Sequence, residues 1–200
     1  MKKSSLLLLP FFLIACGGED SSEELTDAVD EVVEEVEEVV ENEEKKIASP
    51  RMQVEEEMNG VTVSLDYGSP RVKERKIWGK LVPYDEVWRA GANAATAITF
   101  STDAIFGGEN VAAGTYALFI TPHENGEWDV ILNEEWSQEE HGVWGSYDYK
   151  EDKDVLKIVV SPNWTDDNVE ELSFSLKDGN LVFEWEKAQF EINIAGAVPA

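Results

Sequence analysis

The chain has 200 residues, with 42 acidic against 16 basic side chains, a formal net charge of −26 and one cysteine. This length accommodates one domain with an extension, and so acidic a chain is excluded from the classes that bind nucleic acid or anionic lipid head groups through surface charge. A single cysteine also excludes an internal disulfide and a thiolate metal cluster.

The first residues have the features of a lipoprotein signal. Met1 to Lys3 supplies positive charge, Leu6 to Ile14 is a short apolar run, and Leu13 to Cys16 places a small residue before a cysteine. The run is too short to span a membrane, and the order of its parts resembles a bacterial lipobox, in which the cysteine thiol is diacylated, the signal is cut before the cysteine, and the new amino group is usually acylated as well. We predict a signal peptide over residues 1–15 and a lipid anchor on Cys16, with an ordinary signal peptide containing a chance cysteine as the alternative.

Acidic side chains dominate the next segment, residues 16–46. Fourteen acidic and no basic residues lie between Glu19 and Glu44. Five apolar residues recur at alternating steps of four and three, as on one stripe of a helix, although acidic pairs such as Glu31 and Glu35 repel at helical spacing. This pattern predicts one of two structures. The first is a solvated, self-repelling tether with transient helix, and the second is a coiled-coil stalk. The apolar residues of the stripe are Leu25, Val29, Val32, Val36 and Val39.

The anchor and the tether predict where the protein resides. A lipidated Cys16 places it at the bacterial cell envelope, on the outer membrane, and acidic residues after such a cysteine resemble surface-export signals of some diderm bacteria. Display on the cell surface is therefore a further hypothesis. Residues 47–200 alone carry 28 acidic and 12 basic side chains, a net charge of −16, so we also expect this domain to repel nucleic acid.

Residues 47–200 have the alternating pattern of a β protein. Val61, Val63, Leu65 and Tyr67 alternate with polar residues, as in a strand with one face on a core. We predict an all-β fold, an antiparallel β-sandwich that is jelly-roll-like or barrel-like, with about 9–10 strands. Tyr116–Ile120 and Val155–Val160 are apolar on both faces and predict central strands. The predicted turns are Asn59-Gly60, Gly107-Gly108, Asn125-Gly126 and Asp178-Gly179.

Three blocks of this domain carry a family resemblance. They are "YGSPRVKERKIWGKLVPYDEVWRAGANAATAITFS", "GGENVAAGTYALFITPHENGEWDVILN" and "WGSYDYKEDKDVLKIVV". In this order they resemble the DUF2911 family of secreted bacterial proteins, a domain of unknown function, over most of residues 52–195. The resemblance implies a fold and domain limits but no activity. It also leads us to expect a glycine after Lys73, where this chain has Glu74.

Basic side chains cluster between Ser69 and Asn93. Half of the domain's twelve basic residues lie between Arg71 and Arg89, among aromatic residues on which a guanidinium can stack. The cluster predicts a pocket for a small anionic or sugar-like ligand. In the structural alternative, Arg89 pairs with a carboxylate of the domain and donates to loop carbonyls, Gly91 adopts a positive φ, and Asn93 caps the turn. The candidate ligand-binding residues are Ser69, Arg71, Lys73, Arg75, Tyr84, Trp88, Arg89, Asn93, His141, Trp144 and Tyr147.

No motif predicts a catalytic residue, a metal site or a cofactor. His123 and His141 lie near no serine elbow and in no metal-ligand spacing, and His123 is predicted to be a solvated turn residue. The first interpretation is a binding or structural module, not an enzyme, whose partners are the membrane and either a small ligand or an envelope protein. The alternative is a hydrolase acting on glycans or another polar substrate, with Asp85, Asp148 and His141 as acid-base groups.

The tryptophans divide according to their neighbours in the sequence. Trp128 and Trp185 are in phase with apolar strand residues, which predicts that both lie in the core. Trp136, Trp144 and Trp164 lie in polar segments, where a ring either covers the sandwich or stacks on a sugar.

Overall fold

The computed structural model describes residues 49–197, so the predicted signal peptide, Cys16 and the acidic segment lie outside the described residues. The described residues form ten strands, one short helix and two 3-10 turns. The turns span Gly145–Asp148 and Glu151–Lys153, and the helix α1 spans Gln138–His141. The strands are β1 (Arg51–Met58), β2 (Val61–Gly68), β3 (Thr96–Phe100), β4 (Ala104–Phe106), β5 (Glu109–Val111), β6 (Gly114–Pro122), β7 (Trp128–Asn133), β8 (Asp154–Val160), β9 (Asn163–Lys177) and β10 (Asn180–Gly196).

The strands form two antiparallel sheets. The larger sheet has the order β1-β2-β3-β6-β7-β8, and the smaller has the order β5-β4-β10-β9. Neither sheet closes on itself within residues 49–197, so the sandwich prediction is confirmed and the barrel-like variant is not found there. In β2 the alternating residues Val61, Val63, Leu65 and Tyr67 are buried, as the period of two requires.

All four predicted turn dipeptides connect antiparallel neighbours. Asn59-Gly60 joins β1 to β2, Gly107-Gly108 joins β4 to β5, Asn125-Gly126 joins β6 to β7, and Asp178-Gly179 joins β9 to β10. Both residues of the Asn59-Gly60 and Asp178-Gly179 turns have positive φ. This is the backbone that matches the right-handed twist of a tight hairpin, which confirms the turn predictions.

The two runs that are apolar on both faces have different positions. Tyr116–Ile120 lies in β6, between β3 and β7, so its prediction as a central strand is confirmed. Val155–Val160 lies in β8, at the edge of the larger sheet, so that prediction is wrong. Val155 and Val159 are 47% and 60% exposed. An apolar run indicates β structure, but it does not reveal whether a second neighbouring strand exists.

Tryptophans dominate the core between the sheets. Trp128 and Trp185 are fully buried, as predicted, and the ring of Trp78 lies between them at centroid distances of 4.4 and 5.7 Å. Trp164 is half-exposed and packs edge-on against Trp78 and Trp128, which agrees with the first of its two predicted roles, a cover of the sandwich. Trp88 stacks on Trp185 at 5.5 Å, with an interplanar angle of 16°.

The connection between β2 and β3, residues 69–95, pairs first with the smaller sheet and then with the larger sheet, to which β2 and β3 both belong. Its first part is hydrogen-bonded to β9, since Val72 N–H donates to the Glu170 carbonyl at 2.8 Å. Its later part is bonded to β6, since the N–H groups of Trp88 and Ile120 each donate to the other residue's carbonyl at 2.8 Å. Backbone pairing at both ends therefore fixes this long segment in place.

A second segment, residues 134–153, covers part of the outer face of the larger sheet. Phe119 and Ile131 belong to a small buried cluster on that face, against which Trp136 and Tyr149 pack. The hydroxyl of Tyr149 donates to Asp154 Oδ2 at 2.6 Å. Among residues 49–197, no helix has the length and hydrophobicity needed to cross a membrane.

Candidate functional site

A cleft of about 430 Å³ lies where the 69–95 connection meets the Gly145–Asp148 turn. We call it the Arg89 cleft. Six of the eleven candidate residues line it, and the other seven lining residues were not among the candidates. The candidates in its lining are Lys73, Arg75, Trp88, Arg89, Asn93 and Tyr147, and the others are Ser49, Pro70, Leu81, Val82, Gly91, Ala92 and Trp185.

The charged residues that line the Arg89 cleft all have one sign, although the Glu170 carboxylate outside the lining accepts the backbone N–H of Lys73 at 2.9 Å. Lys73, Arg75 and Arg89 line it, and none of the described lining residues carries a carboxylate. The domain as a whole has 28 acidic and 12 basic residues. The lining of the cleft, with three cations and no carboxylate, therefore differs from the strongly acidic composition of the domain.

Arg89 has none of the partners that the structural alternative requires among residues 49–197. None of the ion pairs in this part of the chain includes it. Its Nε is buried and lacks a hydrogen-bond partner in the same range. The side chain as a whole is half-buried. The guanidinium is therefore held at the cleft by packing and leaves hydrogen-bonding capacity unused.

The loop after Arg89 is held in place by hydrogen bonds from nearby side chains to its backbone carbonyls. Trp88 Nε1 donates to the Gly91 carbonyl at 3.2 Å, and Thr96 Oγ1 donates to the Ala90 carbonyl at 2.9 Å. Gly91 was predicted to have a positive φ, but the residues of this loop with positive φ are Ala90 and Asn93. Gly91 is needed for space, because a β carbon there would lie 2.8 Å from the Gly68 carbonyl oxygen.

The predicted capping role of Asn93 takes a different form. Its φ of 65° puts the residue in the left-handed region, which asparagine tolerates better than most residues. Its side chain makes no hydrogen bond to a residue in the described range and lines the cleft. Asn93 therefore turns the backbone through its own conformation.

The first turn of the connection has an unusual backbone at the expected glycine. Lys73 and Glu74 both have positive φ, of 48° and 58°. Glu74 thus adopts a conformation that glycine adopts without strain, at the position where the family resemblance predicts glycine. Arg75 stabilises the same turn, since its guanidinium donates to the carbonyls of Val72 and Arg71.

Tyr147 reaches the cleft from a distant part of the sequence. It lies in the Gly145–Asp148 turn, and its side chain is 80% exposed. Gly145 is buried, and a β carbon on it would lie 2.9 Å from Arg89 Cδ and 3.2 Å from the Asn93 carbonyl oxygen. The turn that carries Tyr147 therefore packs directly on the Arg89 side chain because residue 145 has no side chain.

One wall of the cleft is apolar. Trp88, Trp185 and Val82 are buried lining residues, and Leu81 lies at the edge with 44% exposure. The indole N–H of Trp185 is buried without a hydrogen-bond partner among residues 49–197. The cleft thus combines three cations with an indole wall.

Five candidate residues lie elsewhere. Ser69 is buried and donates to the Leu172 carbonyl at 2.7 Å, and Arg71 pairs with Glu171 at 2.6 Å, so both attach the connection to β9. Tyr84 packs against the main core. Trp144 is exposed but does not line the cleft. His141 ends α1, where its Nδ1 lies 3.3 Å from Trp136 N and 3.4 Å from Ser137 N.

The three acid-base candidates are not gathered into one site. Asp148 Oδ2 accepts the N–H of Trp144 at 2.8 Å, and His141 accepts from the backbone of its own segment. Asp85 Oδ1 lies 2.5 Å from His123 Nδ1. Asp148 and His141 thus bond within their own segment, Asp85 bonds to another one, and none of the three lines the Arg89 cleft.

His123 is more than the solvated turn residue predicted from the sequence. It is only 29% exposed, and its Nε2 lies 3.5 Å from Asp129 Oδ2. The hydrogen bond with Asp85 raises the pKa of His123 above its ordinary value of 6.5. Because Asp85 precedes Trp88 in the connection, this pair ties the cleft-bearing segment to the β6–β7 hairpin.

Comparison with known proteins confirms the family resemblance noted in the sequence. The model of a family described as "Protein of unknown function (DUF2911)" matches residues 49–194. A search of curated proteins and a search of solved structures gave no match. The matched range includes strands of both sheets and every lining residue of the Arg89 cleft. The chain therefore belongs to the DUF2911 family.

Proposed function

We propose that this protein binds a small anionic ligand in the Arg89 cleft and is held at the bacterial cell envelope by a lipid on Cys16. The observation that carries the proposal is the set of three cations, Lys73, Arg75 and Arg89, around a cleft whose described lining contains no carboxylate. The proposed activity is recognition, and it requires no chemical step by the protein.

Electrostatics supports an anion as the ligand. Three cations that share one cleft repel one another, and in a chain of net charge −26 acidic side chains are abundant as potential partners. The described residues nevertheless supply none in the lining of this cleft. An anion that entered would reduce the repulsion and accept hydrogen bonds from Arg89, whose Nε lacks a partner in residues 49–197.

The start of the chain supports the proposed location. Positive residues, an apolar run and a small residue precede Cys16 in the order of a lipoprotein signal. The acidic residues 19–44 then separate the anchor from the domain. A module in this position meets solutes and macromolecules outside the cytoplasm, and its negative charge disfavours binding to anionic lipid head groups.

Thermal unfolding with added anions tests the binding proposal. The full-length protein, purified in a non-ionic detergent, is heated with inorganic phosphate, sulfate, acetate or phenyl phosphate. We expect at least one anion to raise the melting temperature, and the rise should grow with the logarithm of the anion concentration once that concentration exceeds the dissociation constant. Arg89→Gln should abolish the rise, and Lys177→Gln, which removes an exposed cation outside the cleft, should retain it. If no anion raises the melting temperature, or if Arg89→Gln responds like the wild type, the proposal is wrong.

Acyl labelling in cells tests the anchor independently. Cells that express the full-length protein are grown with a labelled fatty acid, and we expect the label on the wild type but not on Cys16→Ser. The variant should also leave the membrane fraction. Label on Cys16→Ser would contradict the anchor, and protection of the protein from protease added to intact cells would contradict surface display.

A further inference from the structure

We infer that the anion bound in the Arg89 cleft carries a flat aromatic ring, which packs against Tyr147 and the indole wall while the charged group meets Arg89. This inference rests on the proposed function and specifies its ligand class. The expected ligand is an aryl phosphate or aryl carboxylate, that is, a compact anionic group attached directly to a ring.

The volume of the cleft exceeds what a bare ion needs. A water molecule has a share of about 30 Å³ in the liquid, so a cleft of about 430 Å³ corresponds to on the order of a dozen waters. An inorganic anion would leave most of this space to solvent. Clefts that bind small organic molecules begin at about 300 Å³, so an organic ligand matches the volume better.

The wall of the cleft supplies the contacts that a ring needs. Trp88 and Trp185 are stacked on each other and both line the cleft, Trp88 with 9% of its surface exposed and Trp185 with 1%, so a bound ring would contact mainly Trp88. Trp88 Nε1 already donates to Gly91, so the polar atom of that indole is satisfied. An inorganic anion gains little from such a surface, whereas an aromatic ring gains dispersion contacts and the release of water.

The rim of the cleft has two unusually exposed apolar side chains. Seven large hydrophobic residues of the described range are exposed, and two of them, Tyr147 and Leu81, line this cleft. Tyr147, at 80%, is the most exposed of the seven. Single exposed hydrophobic residues are common on protein surfaces, but two at the edge of one indole-walled cleft are typical of a ligand site.

The cation and the aromatic rim are structurally connected. Gly145 packs on the Arg89 side chain, and Tyr147 follows it within the same four-residue turn. A ligand held by Arg89 is therefore within the reach of the segment that presents Tyr147. This juxtaposition favours a ligand whose charge and ring are adjacent over one that separates them by a long chain.

Matched pairs of probes test the inference. Phenyl phosphate is compared with inorganic phosphate, and benzoate with acetate, by titration of the full-length protein in non-ionic detergent, with phenol as the uncharged ring. We expect the aryl anion to bind about two- to twelvefold more tightly than its simple partner, which corresponds to roughly 0.5–1.5 kcal/mol for one aromatic contact. The pair that shows the larger advantage identifies phosphate or carboxylate as the charged group.

Three variants separate the contributions of ring and charge. Tyr147→Ala should remove most of the aryl advantage and leave the affinity for the simple anion unchanged. Trp144→Ala, an exposed aromatic residue outside the cleft, should leave both affinities unchanged. Arg89→Gln should weaken both members of each pair.

The outcomes distinguish this inference from the proposed function. Equal binding of aryl and simple anions, with Tyr147→Ala like the wild type, would overturn the inference and leave anion binding in place. Failure of every anion to bind would overturn the proposed function and the inference with it, whereas phenol binding as tightly as phenyl phosphate would overturn the inference, because the charged group would then contribute nothing to binding of the ring.

Discussion

Gly145 and Arg89 are in such close contact that a β carbon on Gly145 would lie 2.9 Å from Arg89 Cδ. The two residues come from segments that lie on opposite sides of β3 to β7 in the sequence. Their contact brings a turn from the outer cover of the larger sheet onto the connection between β2 and β3. The cleft exists because these two segments meet there.

Replacement of Gly145 by alanine should therefore damage the cleft. Gly145 has a φ of 57°, and Gly142 has a comparable φ of 73°, but a β carbon added to Gly142 would have no neighbouring atom within 4 Å. We expect Gly145→Ala and Gly142→Ala each to lose roughly 1 kcal/mol of unfolding free energy through backbone strain. Only Gly145→Ala should also weaken the binding of phenyl phosphate, since only it displaces Arg89.

Chemical denaturation and ligand titration of both glycine variants check this prediction. Because the backbone strain is matched, the difference in affinity isolates the contacts of residue 145 with Arg89 and Asn93. Equal losses of affinity in Gly145→Ala and Gly142→Ala would show that these contacts have no role in binding.

Ser69 and Arg89 should have opposite roles. Ser69 is buried and donates at 2.7 Å to a backbone carbonyl, so Ser69→Ala should cost roughly 1–2 kcal/mol of unfolding free energy and leave anion affinity intact. Arg89 has no ion pair within residues 49–197, so Arg89→Gln should change stability by less than about 0.5 kcal/mol. Its effect should appear as lost anion affinity. Marked destabilisation by Arg89→Gln would instead make Arg89 a structural residue, and denaturation curves of both variants decide this.

Glycine at position 74 should stabilise the protein. Glu74 has a φ of 58°, so Glu74→Gly relieves strain of roughly 1 kcal/mol, partly offset by the greater freedom of glycine in the unfolded chain. Lys76 is exposed in the same connection but is not among the positive-φ residues, so Lys76→Gly should destabilise. Melting temperatures that move in opposite directions are expected. A fall in both would mean that the Glu74 side chain makes a contribution larger than the strain.

Stability should depend on pH through His123. The pKa of His123 is raised above 6.5 in the folded protein, chiefly by its hydrogen bond with Asp85. The protonated form is therefore favoured by folding, and its contribution is complete below pH 6.5 and disappears as the pH rises through the folded pKa. Unfolding free energies measured from pH 5.5 to 8.5 should show that His123→Gln is less stable than the wild type at low pH and that the gap narrows as pH rises. A gap that widens with pH would contradict this sign.

Local signals in the sequence were sufficient to predict most of the strands and turns. The alternation in β2 and the Asn59-Gly60 and Asp178-Gly179 turns depend on neighbouring residues alone, so they were predictable. The edge position of β8 was not, because its apolar residues describe the strand and not its neighbours. Strand order depends on contacts between distant segments.

Only part of the cleft was predictable, because local sequence signals reveal the residues of one segment but not its contacts with a distant one. Arg75, Trp88 and Arg89 were visible as a cluster because one connection contains them all. The contribution of Gly145 depends on a contact between two segments that are far apart in the chain, and a glycine offers no side chain to signal it. The structural alternative gave Arg89 a carboxylate partner. Acidic residues are abundant in this domain, but their abundance does not determine where their side chains point.

The stacked indoles of the cleft wall also have an optical consequence. Trp185 lies 5.7 Å from Trp78, which in turn lies 4.4 Å from Trp128 and 6.3 Å from Trp164. Excitation absorbed by any of these rings passes readily to the others at such separations. If a ligand contacts Trp88 at the cleft, we therefore expect the fluorescence of the whole cluster to change, which would report whether the cleft is occupied.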